Sequence, residues 1–270
     1  MLSRFSFFVG LLLSSALPAL PQALVYPVDV AVGPDGAVFV ADHEAHALLK
    51  LEGGSFKTVA KGPGLPRTPL YGIRHIARAK DGKWVASDPA TMKLYTIDGA
   101  GKIEAVADDE RFVTPWGIAV EASGDILAVD RVTHRLRRVK AGGKVEDVVD
   151  VRAPRAILFD KDGAIVMLTD KTLVRVSGKS TTPLVATPPF EFPHDAVLHP
   201  NGNFYVTDGY AHAVWQVTPD GKVSALVKGE PLKSPQGIAV DGKGNLLVAD
   251  AHAKAIFQVT LKGEVTSLGK

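Results

Sequence analysis

The chain has 270 residues, of which 46% are hydrophobic and 22% are charged, a composition typical of a globular protein with a sizeable core. Its 31 basic and 29 acidic residues give a net charge of +2, which provides no basic field of the kind that binds nucleic acid. The absence of cysteine excludes disulfide bonds, thiolate metal sites and cysteine nucleophiles.

Residues 1–23 predict a secretory signal peptide. Arg4 is followed by an apolar run over residues 5–13, and small residues and prolines continue to Ala23. These are the charged end, apolar run and small-residue exit of such a signal, and the run is shorter than the roughly 20 residues of a membrane-spanning helix. We therefore expect a secreted or periplasmic protein without membrane attachment after cleavage. Cleavage fits after Ala16, Ala19 or Ala23, and an uncleaved anchor is the alternative.

Six copies of one unit fill residues 24–270, spaced roughly 40 residues apart. In the most complete copy, residues 193–217, three short apolar runs are separated by an Asn201-Gly202 turn and by Asp208. Four short strands recurring with this period are typical of propeller blades. The sequence therefore predicts an all-β, six-bladed β-propeller with four antiparallel strands in each blade. The predicted blades cover about 25–62, 70–108, 112–150, 152–187, 190–229 and 232–270.

The two ends of the chain predict how the ring closes. The last copy ends with a fourth strand of its own, and few residues precede the first copy once a signal is removed. We therefore expect the first blade to pack on the sixth without sharing a strand.

An acidic residue ends the second strand of five copies, and its recurrence indicates a structural role. The fourth copy has Thr169 at this position. We expect each acid to accept backbone N–H groups in the following turn, and the histidine four residues later in three copies to pack between blades. His199, in a hairpin on the opposite face, is expected to be solvated. The acids are Asp42, Asp88, Asp130, Asp208 and Asp250, and the histidines are His46, His134 and His212.

The repeat resembles the NHL repeat of six-bladed propellers, within the TolB-like and SMP-30-like propeller superfamily. The resemblance is carried by P-x-G-I-A-V at residues 235–240 and G-N-L-L-V-A-D at residues 244–250, and it extends over about residues 25–270. It implies an NHL-type propeller. It does not set the activity, because such propellers include binding modules, lactonases and lyases.

The candidate site lies at the mouth of the central channel, on the face formed by the second-to-third loops and the blade connections. The hairpin turns of the other face are short and uniform, so that face is expected to offer little. Polar residues at the starts of the inner strands depart from the repeat, and such departures at a channel mouth are candidates for ligand contact. The loops of this face carry His43, Glu44 and Arg131 as well. The predicted ligand-binding set is Asp29, Arg74, His75, Trp116, Arg155, Asp195, Tyr210, Gln236 and His252.

One functional hypothesis is a noncatalytic module that binds a small molecule, glycan, peptide or protein at this mouth. Aromatic and cationic residues such as Trp116, Tyr210 and Arg155 suit such contacts. We expect a monomer, with no nucleic acid as partner.

The alternative is a metal-dependent lyase or hydrolase. The chain resembles peptidyl-hydroxyglycine lyase propellers, which implies zinc-binding histidines, and His194-Asp195 matches their His-Asp pair. The candidate metal ligands are His75, His194 and Asp195, for zinc or calcium in the central channel. The chain is also similar to SMP-30/gluconolactonase propellers, which implies metal-binding carboxylates at the starts of the inner strands. The six matching positions, which include Arg74 and Arg155, contain no carboxylate.

A catalytic pair is implied by resemblance to streptogramin lyases. Their motif P-H-x-x-x-x-x-P-x-G-N-L-W-F-T-E is similar to residues 193–208, where His194 matches the general base and Asp208 replaces the strand-ending glutamate. His194 and Asp208 are therefore the candidate catalytic residues.

Overall fold

The structure is a computed structural model that describes residues 22–107 and 109–269. Nearly all of the predicted signal peptide lies outside the described residues, so secretion stays a prediction. The described residues form 24 β-strands, and none of their secondary structure is a helix that could cross a membrane.

The strands form six sheets of four consecutive antiparallel strands, as the repeat predicts. Blade 1 contains β1 (Pro27–Val32), β2 (Val38–Asp42), β3 (Ala47–Glu52) and β4 (Ser55–Lys61). Blade 2 contains β5 (His75–Arg78), β6 (Trp84–Asp88), β7 (Lys93–Ile97) and β8 (Ile103–Ala107). Blade 3 contains β9 (Pro115–Val120), β10 (Ile126–Asp130), β11 (Arg135–Val139) and β12 (Val145–Asp150). Blade 4 contains β13 (Pro154–Phe159), β14 (Ile165–Thr169), β15 (Leu173–Ser177) and β16 (Ser180–Pro183). Blade 5 contains β17 (Pro193–Leu198), β18 (Phe204–Asp208), β19 (Ala213–Val217) and β20 (Val223–Lys228). Blade 6 contains β21 (Pro235–Val240), β22 (Leu246–Asp250), β23 (Ala255–Val259) and β24 (Val265–Leu268).

The blades form a closed ring. The first strand of each blade contacts the first strands of the blades on both sides, and β1 packs against β21 and β22. Every sheet keeps its own four strands, so the predicted closure of blade 1 on blade 6 without a shared strand is confirmed. The six inner strands therefore surround a central channel.

The hydrophobic core lies between the blades. Six apolar clusters are present, and each joins two neighbouring blades. Between blades 1 and 2, for example, Phe39 meets Trp84 with ring centroids 4.5 Å apart. A single blade cannot bury both of its apolar faces, and burial of one large apolar side chain contributes about 1.5–3 kcal/mol. The ring is therefore the smallest unit that covers all the blade faces.

The strand-ending acids have the structural role that their recurrence predicts. Asp42, for example, is fully buried and accepts hydrogen bonds from Val25 N, Tyr26 N and Ala45 N. In blade 4 the hydroxyl of Thr169 accepts from Thr172 N instead. Each of these side chains ties the entering chain or the following turn to the end of the second strand.

The recurring histidines occupy a left-handed backbone position just before the third strand. His46, His134 and His212 have φ values of 53°, 58° and 49°, a region in which histidine is enriched among residues other than glycine. His46 stacks on Tyr71 at 4.8 Å, whereas His212 is exposed. Packing between blades therefore does not hold for all three.

The prediction of a solvated His199 is wrong. This side chain is 6% exposed, and its Nε2 lies 3.0 Å from Gly244 O of the neighbouring blade. Its ring also contacts Tyr205 edge to face. The hairpins of adjacent blades touch, so a residue in a hairpin is not necessarily in solvent.

Candidate functional site

A β-bulge at the start of the inner strands turns side chains toward the channel. In blade 4, Pro154 pairs with Thr169 and Ala156 pairs with Leu168, so Arg155 between them has no partner in the register. His194 has the same position in blade 5. A bulge leaves one residue outside the ladder and re-aims its side chain. The residues at this position, which we call the first ring, are Val28, Arg74, Trp116, Arg155, His194 and Gln236.

Three arginines stack on aromatic rings beside the first ring. The guanidinium carbons of Arg74 and Arg131 lie 4.4 Å and 4.3 Å from the centroid of the Trp116 ring. The guanidinium of Arg155 lies 4.1 Å from the Phe192 ring. Cation–π contacts of this kind use the flat face of the guanidinium and leave its N–H edge available. We call Arg74, Arg131 and Arg155 the arginine mouth.

Arg155 is a buried cation without hydrogen bonds at two of its nitrogens. It is 3% exposed, and both Nε and Nη1 lack a partner. Arg137 is equally buried, but its Nε donates to Asp147 at 3.0 Å. Buried polar groups are nearly always paired, so each exception calls for an explanation. Burial, together with the nearby charges of Arg131 and Arg74, lowers the pKa of Arg155 to about 10.

His194 is the neutral member of the mouth. Burial, together with the charges of Arg74 and Arg155, lowers its pKa to about 2. Arg74 Nη2 donates to His194 Nδ1 at 3.2 Å, and this bond crosses the channel from blade 2 to blade 5. A neutral ring that accepts at Nδ1 carries its proton on Nε2. Gln236 Nε2 lies 3.1 Å from that nitrogen, and the amide turned over about its last side-chain bond puts its oxygen there to accept the hydrogen bond.

The next residues along the inner strands form an ion cluster. His75 Nδ1 lies 3.6 Å from Asp29 Oδ2, and His75 Nε2 lies 3.7 Å from Asp195 Oδ1. Burial lowers the pKa of His75, but the charges of Asp29 and Asp195 outweigh it and raise the pKa to about 9. Burial raises the pKa of Asp29 to about 6, although His75 opposes the shift. The cluster is therefore an imidazolium between two carboxylates at neutral pH.

The two carboxylates of this cluster also join neighbouring blades. Asp29 accepts from Val30 N at 2.8 Å and from Ile76 N of blade 2 at 2.7 Å. Asp195 accepts from Ala196 N at 2.8 Å and from Ile238 N of blade 6 at 3.1 Å. Space for this approach comes from glycine, because a Cβ on Gly237 would lie 2.3 Å from Asp29 Oδ1.

A cavity of about 490 Å³ lies beside the ion cluster, on the side opposite to the arginine mouth. Its lining runs along the inner strands from Asp29, His75 and Asp195 to the hairpin residues Pro200 and Asp241. Most of the wall between these ends is aliphatic. The hairpin face therefore offers more than the sequence indicated, since the channel cavity extends toward it.

The other predicted residues fall in two places. Tyr210 is 67% exposed and stacks on Phe192 at 4.6 Å, so it stands above the arginine mouth. His252 contacts Tyr26 at 5.9 Å, near the junction of blades 1 and 6. Asp208 is fully buried and accepts from Glu191 N, Phe192 N and Ala211 N, as its sister acids do. Its oxygens are occupied by backbone donors.

The structure divides the predicted metal ligands. A group with ligand atoms within 4.8 Å of one another contains Asp29, His75 and Asp195, but not His194. His194 instead accepts a hydrogen bond from Arg74 and has three guanidinium groups nearby, which disfavour a cation there. The donor set that fits a divalent cation is therefore one carboxylate, one imidazole and a second carboxylate in the ion cluster.

Two contributors to the mouth were missed in the predicted site. Arg131 was placed on the correct face by its loop, but its stacking on Trp116 depends on the tertiary fold. Phe192 precedes the repeat proline of blade 5, and its ring contacts His194. An aromatic residue two positions before His194 is the signal that could have identified it.

Comparisons with known proteins agree with this architecture. Residues 24–51 and 190–217 match the NHL repeat family. Peptidyl-glycine alpha-amidating monooxygenase B of Xenopus laevis is 23% identical over 76% of this chain and 28% of the relative. A second form from the same organism is 22% identical, over 72% of this chain and 24% of the relative. The chain thus spans about a quarter of the length of these curated relatives.

Solved structures share the fold at low sequence identity. A gluconolactonase of Xanthomonas campestris superimposes with a TM-score of 0.75 at 11% identity, covering 92% of this chain and 88% of the other. Virginiamycin B lyase of Staphylococcus aureus gives 0.70 at 17% identity, covering 93% and 88%. Sequence identities this low are evidence for a shared fold alone. The repeat matches and the observed architecture together identify the chain as a six-bladed β-propeller that carries NHL repeats.

Proposed function

We propose that the protein is a binding module that takes a small anionic molecule at the arginine mouth. The observation that carries this proposal is Arg155, a cation 3% exposed whose Nε and Nη1 have no partner. A charge kept in such a place is costly unless a counter-charge and acceptors reach it. A ligand anion supplies both.

The surroundings of Arg155 suit an anion with a ring attached. Arginine forks match the geometry of carboxylate and phosphate oxygens. Phe192, which stacks on Arg155, and the exposed Tyr210 form a pair of stacked aromatic rings beside the guanidinium group. His194 is neutral, so it does not repel the neighbouring guanidinium groups, and it holds Arg74 in place by accepting a hydrogen bond across the channel.

Calorimetric titration tests the proposal with probes that share one ring. Benzoate, benzenesulfonate and phenyl phosphate are compared with neutral benzamide. We expect at least one anion to bind and benzamide not to bind. Replacing Arg155 with methionine should weaken binding by at least about 30-fold, the usual cost of truncating one partner of a buried charged pair.

Arg175 provides the matched control. It lies on strand β15 of the same blade, and its guanidinium group pairs with Asp160 at 2.8 Å. Arg175→Met should leave the affinity unchanged. Equal affinity for benzamide and the anions, or equal losses in the two variants, would contradict the proposal.

The second candidate is a metal-dependent lyase or hydrolase, as the names of similar propellers suggest. The observation that favours it is the group of Asp29, His75 and Asp195, whose ligand atoms lie within 4.8 Å of one another. A divalent cation there would have to displace the proton of His75. Elemental analysis of dialysed protein tests this candidate: stoichiometric zinc or calcium that is lost in the Asp29→Asn variant supports it, and protein without metal and with no destabilisation by chelator contradicts it.

We also propose that the protein acts outside the cytoplasm, because residues 1–23 have the pattern of a signal peptide. The mass of the protein recovered from cell fractions tests this. An exported product lacking these residues is expected, whereas an intact amino terminus in the cytoplasmic fraction would contradict it.

A further inference from the structure

The three guanidinium groups of the arginine mouth share one region without a local counter-charge. Within the described part of the chain, none of them has a carboxylate within 4.0 Å. Asp29 and Asp195 act on Arg74 only at longer range, and they already enclose the imidazolium of His75. Asp170 acts at longer range on both Arg131 and Arg155.

The guanidinium groups also repel one another. Arg131 lowers the pKa of Arg74, and both lower the pKa of Arg155, in each case after the larger effect of burial. All three act in the same direction on His194. Arg74 and Arg131 contact the same Trp116 ring, and the charges of both act on Arg155, so the three guanidinium groups lie close enough to act on one ligand group.

Aromatic rings, rather than carboxylates, hold these arginines in position. Trp116 carries two of them and Phe192 carries the third. A carboxylate partner would neutralise a guanidinium and occupy its N–H edge, whereas a ring does neither. The charge of the arginine mouth is therefore not neutralised at contact distance, although Asp208 also acts on Arg155 at longer range. Arg74 Nη1 and Nη2 already donate to Val28 O and His194 Nδ1, so the unpaired N–H groups offered to a ligand include Arg155 Nε and Nη1.

From this charge we propose that the natural ligand presents a dianionic phosphate monoester to the arginine mouth, an inference that rests on the proposed anion-binding function. A monocarboxylate brings one negative charge and two oxygens. A phosphate monoester brings a charge of about −1.5 to −2 at neutral pH and three acceptor oxygens. Its charge suits three neighbouring guanidinium groups, and its oxygens can accept from Arg155 Nε and Nη1, which have no partner.

The organic group of this ester carries a ring. Tyr210 and Phe192 stack with an interplanar angle of 18°, and Tyr210 is 67% exposed above the guanidinium groups. A planar group on the ester oxygen extends the stack while the phosphate lies among the arginines. Stacking of this kind gives orientation more than affinity.

Two probes separate charge from shape. Phenyl phosphate and benzenesulfonate share a phenyl ring and a tetrahedral head with three terminal oxygens, and the sulfonate, which lacks the bridging ester oxygen, carries one charge at every pH used. At pH 7.5 we expect phenyl phosphate to bind at least about 30-fold more tightly than benzenesulfonate, because the second charge acts on buried cations.

The pH dependence sharpens the test. The second proton of a phosphate ester binds with a pKa of about 6, so at pH 5 phenyl phosphate is a monoanion. The ratio of the two affinities should then fall to within about threefold. Asp29, with a pKa of about 6, also gains a proton in this range, and benzenesulfonate, whose own charge is fixed, reports that effect of the protein separately.

The variant Arg131→Met should reduce the ratio at pH 7.5 by about tenfold while benzenesulfonate binding changes less, since fewer positive charges face the second negative charge. Equal affinities of the two probes at pH 7.5 would overturn the phosphate assignment and leave the anion-binding function standing. Failure of every anion to bind would overturn both.

Discussion

The arginine mouth and the ion cluster are built from neighbouring positions of the same strands, yet they balance charge in opposite ways. Arg74 and His75 are consecutive residues, and each crosses the channel toward blade 5. His75 meets two carboxylates that also accept backbone N–H groups. Arg74 meets a neutral histidine and an aromatic ring. Both residues join blades, since Arg74 also donates to Val28 O of blade 1. The difference is that carboxylates neutralise His75, whereas the charge of Arg74 has no carboxylate in contact and is, in the proposed function, offered to a ligand.

The same contrast appears between two arginines of equal burial. Arg137 donates to Asp147 and also lies 3.8 Å from Asp130. Arg155 has unpaired nitrogens. Burial alone therefore does not mark a functional residue, and the informative property is a missing partner.

The largest expected effect comes from breaking the ion cluster. Asp29→Asn removes one partner of His75 and puts an amide where Val30 N and Ile76 N need an acceptor. Loss of one partner from a buried pair costs about 3–5 kcal/mol. Denaturant unfolding at pH 7 measures the loss. The control is Asp220→Asn, which removes an exposed pair with Lys222 and should leave the free energy of unfolding nearly unchanged. Similar losses in both variants would show that Asp29 does not tie blades 1 and 2.

The pH dependence of stability should reveal the cluster next. The pKa of His75 is about 9 in the folded protein, against 6.5 for the unfolded chain. Between these two pH values His75 is protonated in the folded state and neutral in the unfolded chain. The contribution of His75 to the free energy of unfolding is therefore complete below pH 6.5 and is lost as the pH rises through 9. The loss is on the order of 3 kcal/mol. Unfolding free energies across this range measure it, and His75→Gln should flatten the slope. An unchanged slope in that variant would contradict the assignment.

A smaller effect of opposite sign is expected at the arginine mouth. Arg155→Met replaces an unpaired buried cation by an apolar chain of similar length, so the unliganded protein should gain about 1 kcal/mol in free energy of unfolding. Thermal denaturation without ligand checks this. Destabilisation of more than about 1 kcal/mol would indicate that Arg155 has a structural role instead.

The smallest predicted effect comes from adding a carboxylate to the first ring, so that its histidine gains an acidic partner as His75 has in the ion cluster. Gln236→Glu would place a carboxylate against His194 Nε2, which now faces the Gln236 amide at 3.1 Å. The pKa of His194 should rise from about 2, because the imidazolium gains an opposite charge. Proton NMR of the imidazole resonances follows the titration. Anion affinity should fall by about threefold as the added charge repels the ligand. A histidine that still does not titrate above pH 4 would contradict this.

The sequence was sufficient for the fold and only partly for the site. Repetition of one unit predicted six blades, because every blade meets the same packing problem. It also placed Arg74, Trp116 and Arg155 at the channel mouth. It did not reveal that Arg155 lacks partners, since pairing depends on contacts between blades.

Other features lay beyond sequence reasoning for the same physical cause. The burial of His199 depends on Gly244 of the next blade. The channel cavity beside His75 is formed by residues from five blades. Separation of His194 from the ion cluster follows from the bulge that turns it toward Arg74.

The most direct test of the account follows the arginine Nε–Hε signals by NMR while phenyl phosphate is added at pH 7. The Nε atoms of Arg74 and Arg155 are buried and unpaired, whereas Arg137 Nε donates to Asp147. Variants at each position assign the signals. We predict that the Arg74 and Arg155 signals shift on binding and that the Arg137 signal does not. Unmoved Arg74 and Arg155 signals in protein saturated with the probe would show that the ligand binds elsewhere and would contradict the account.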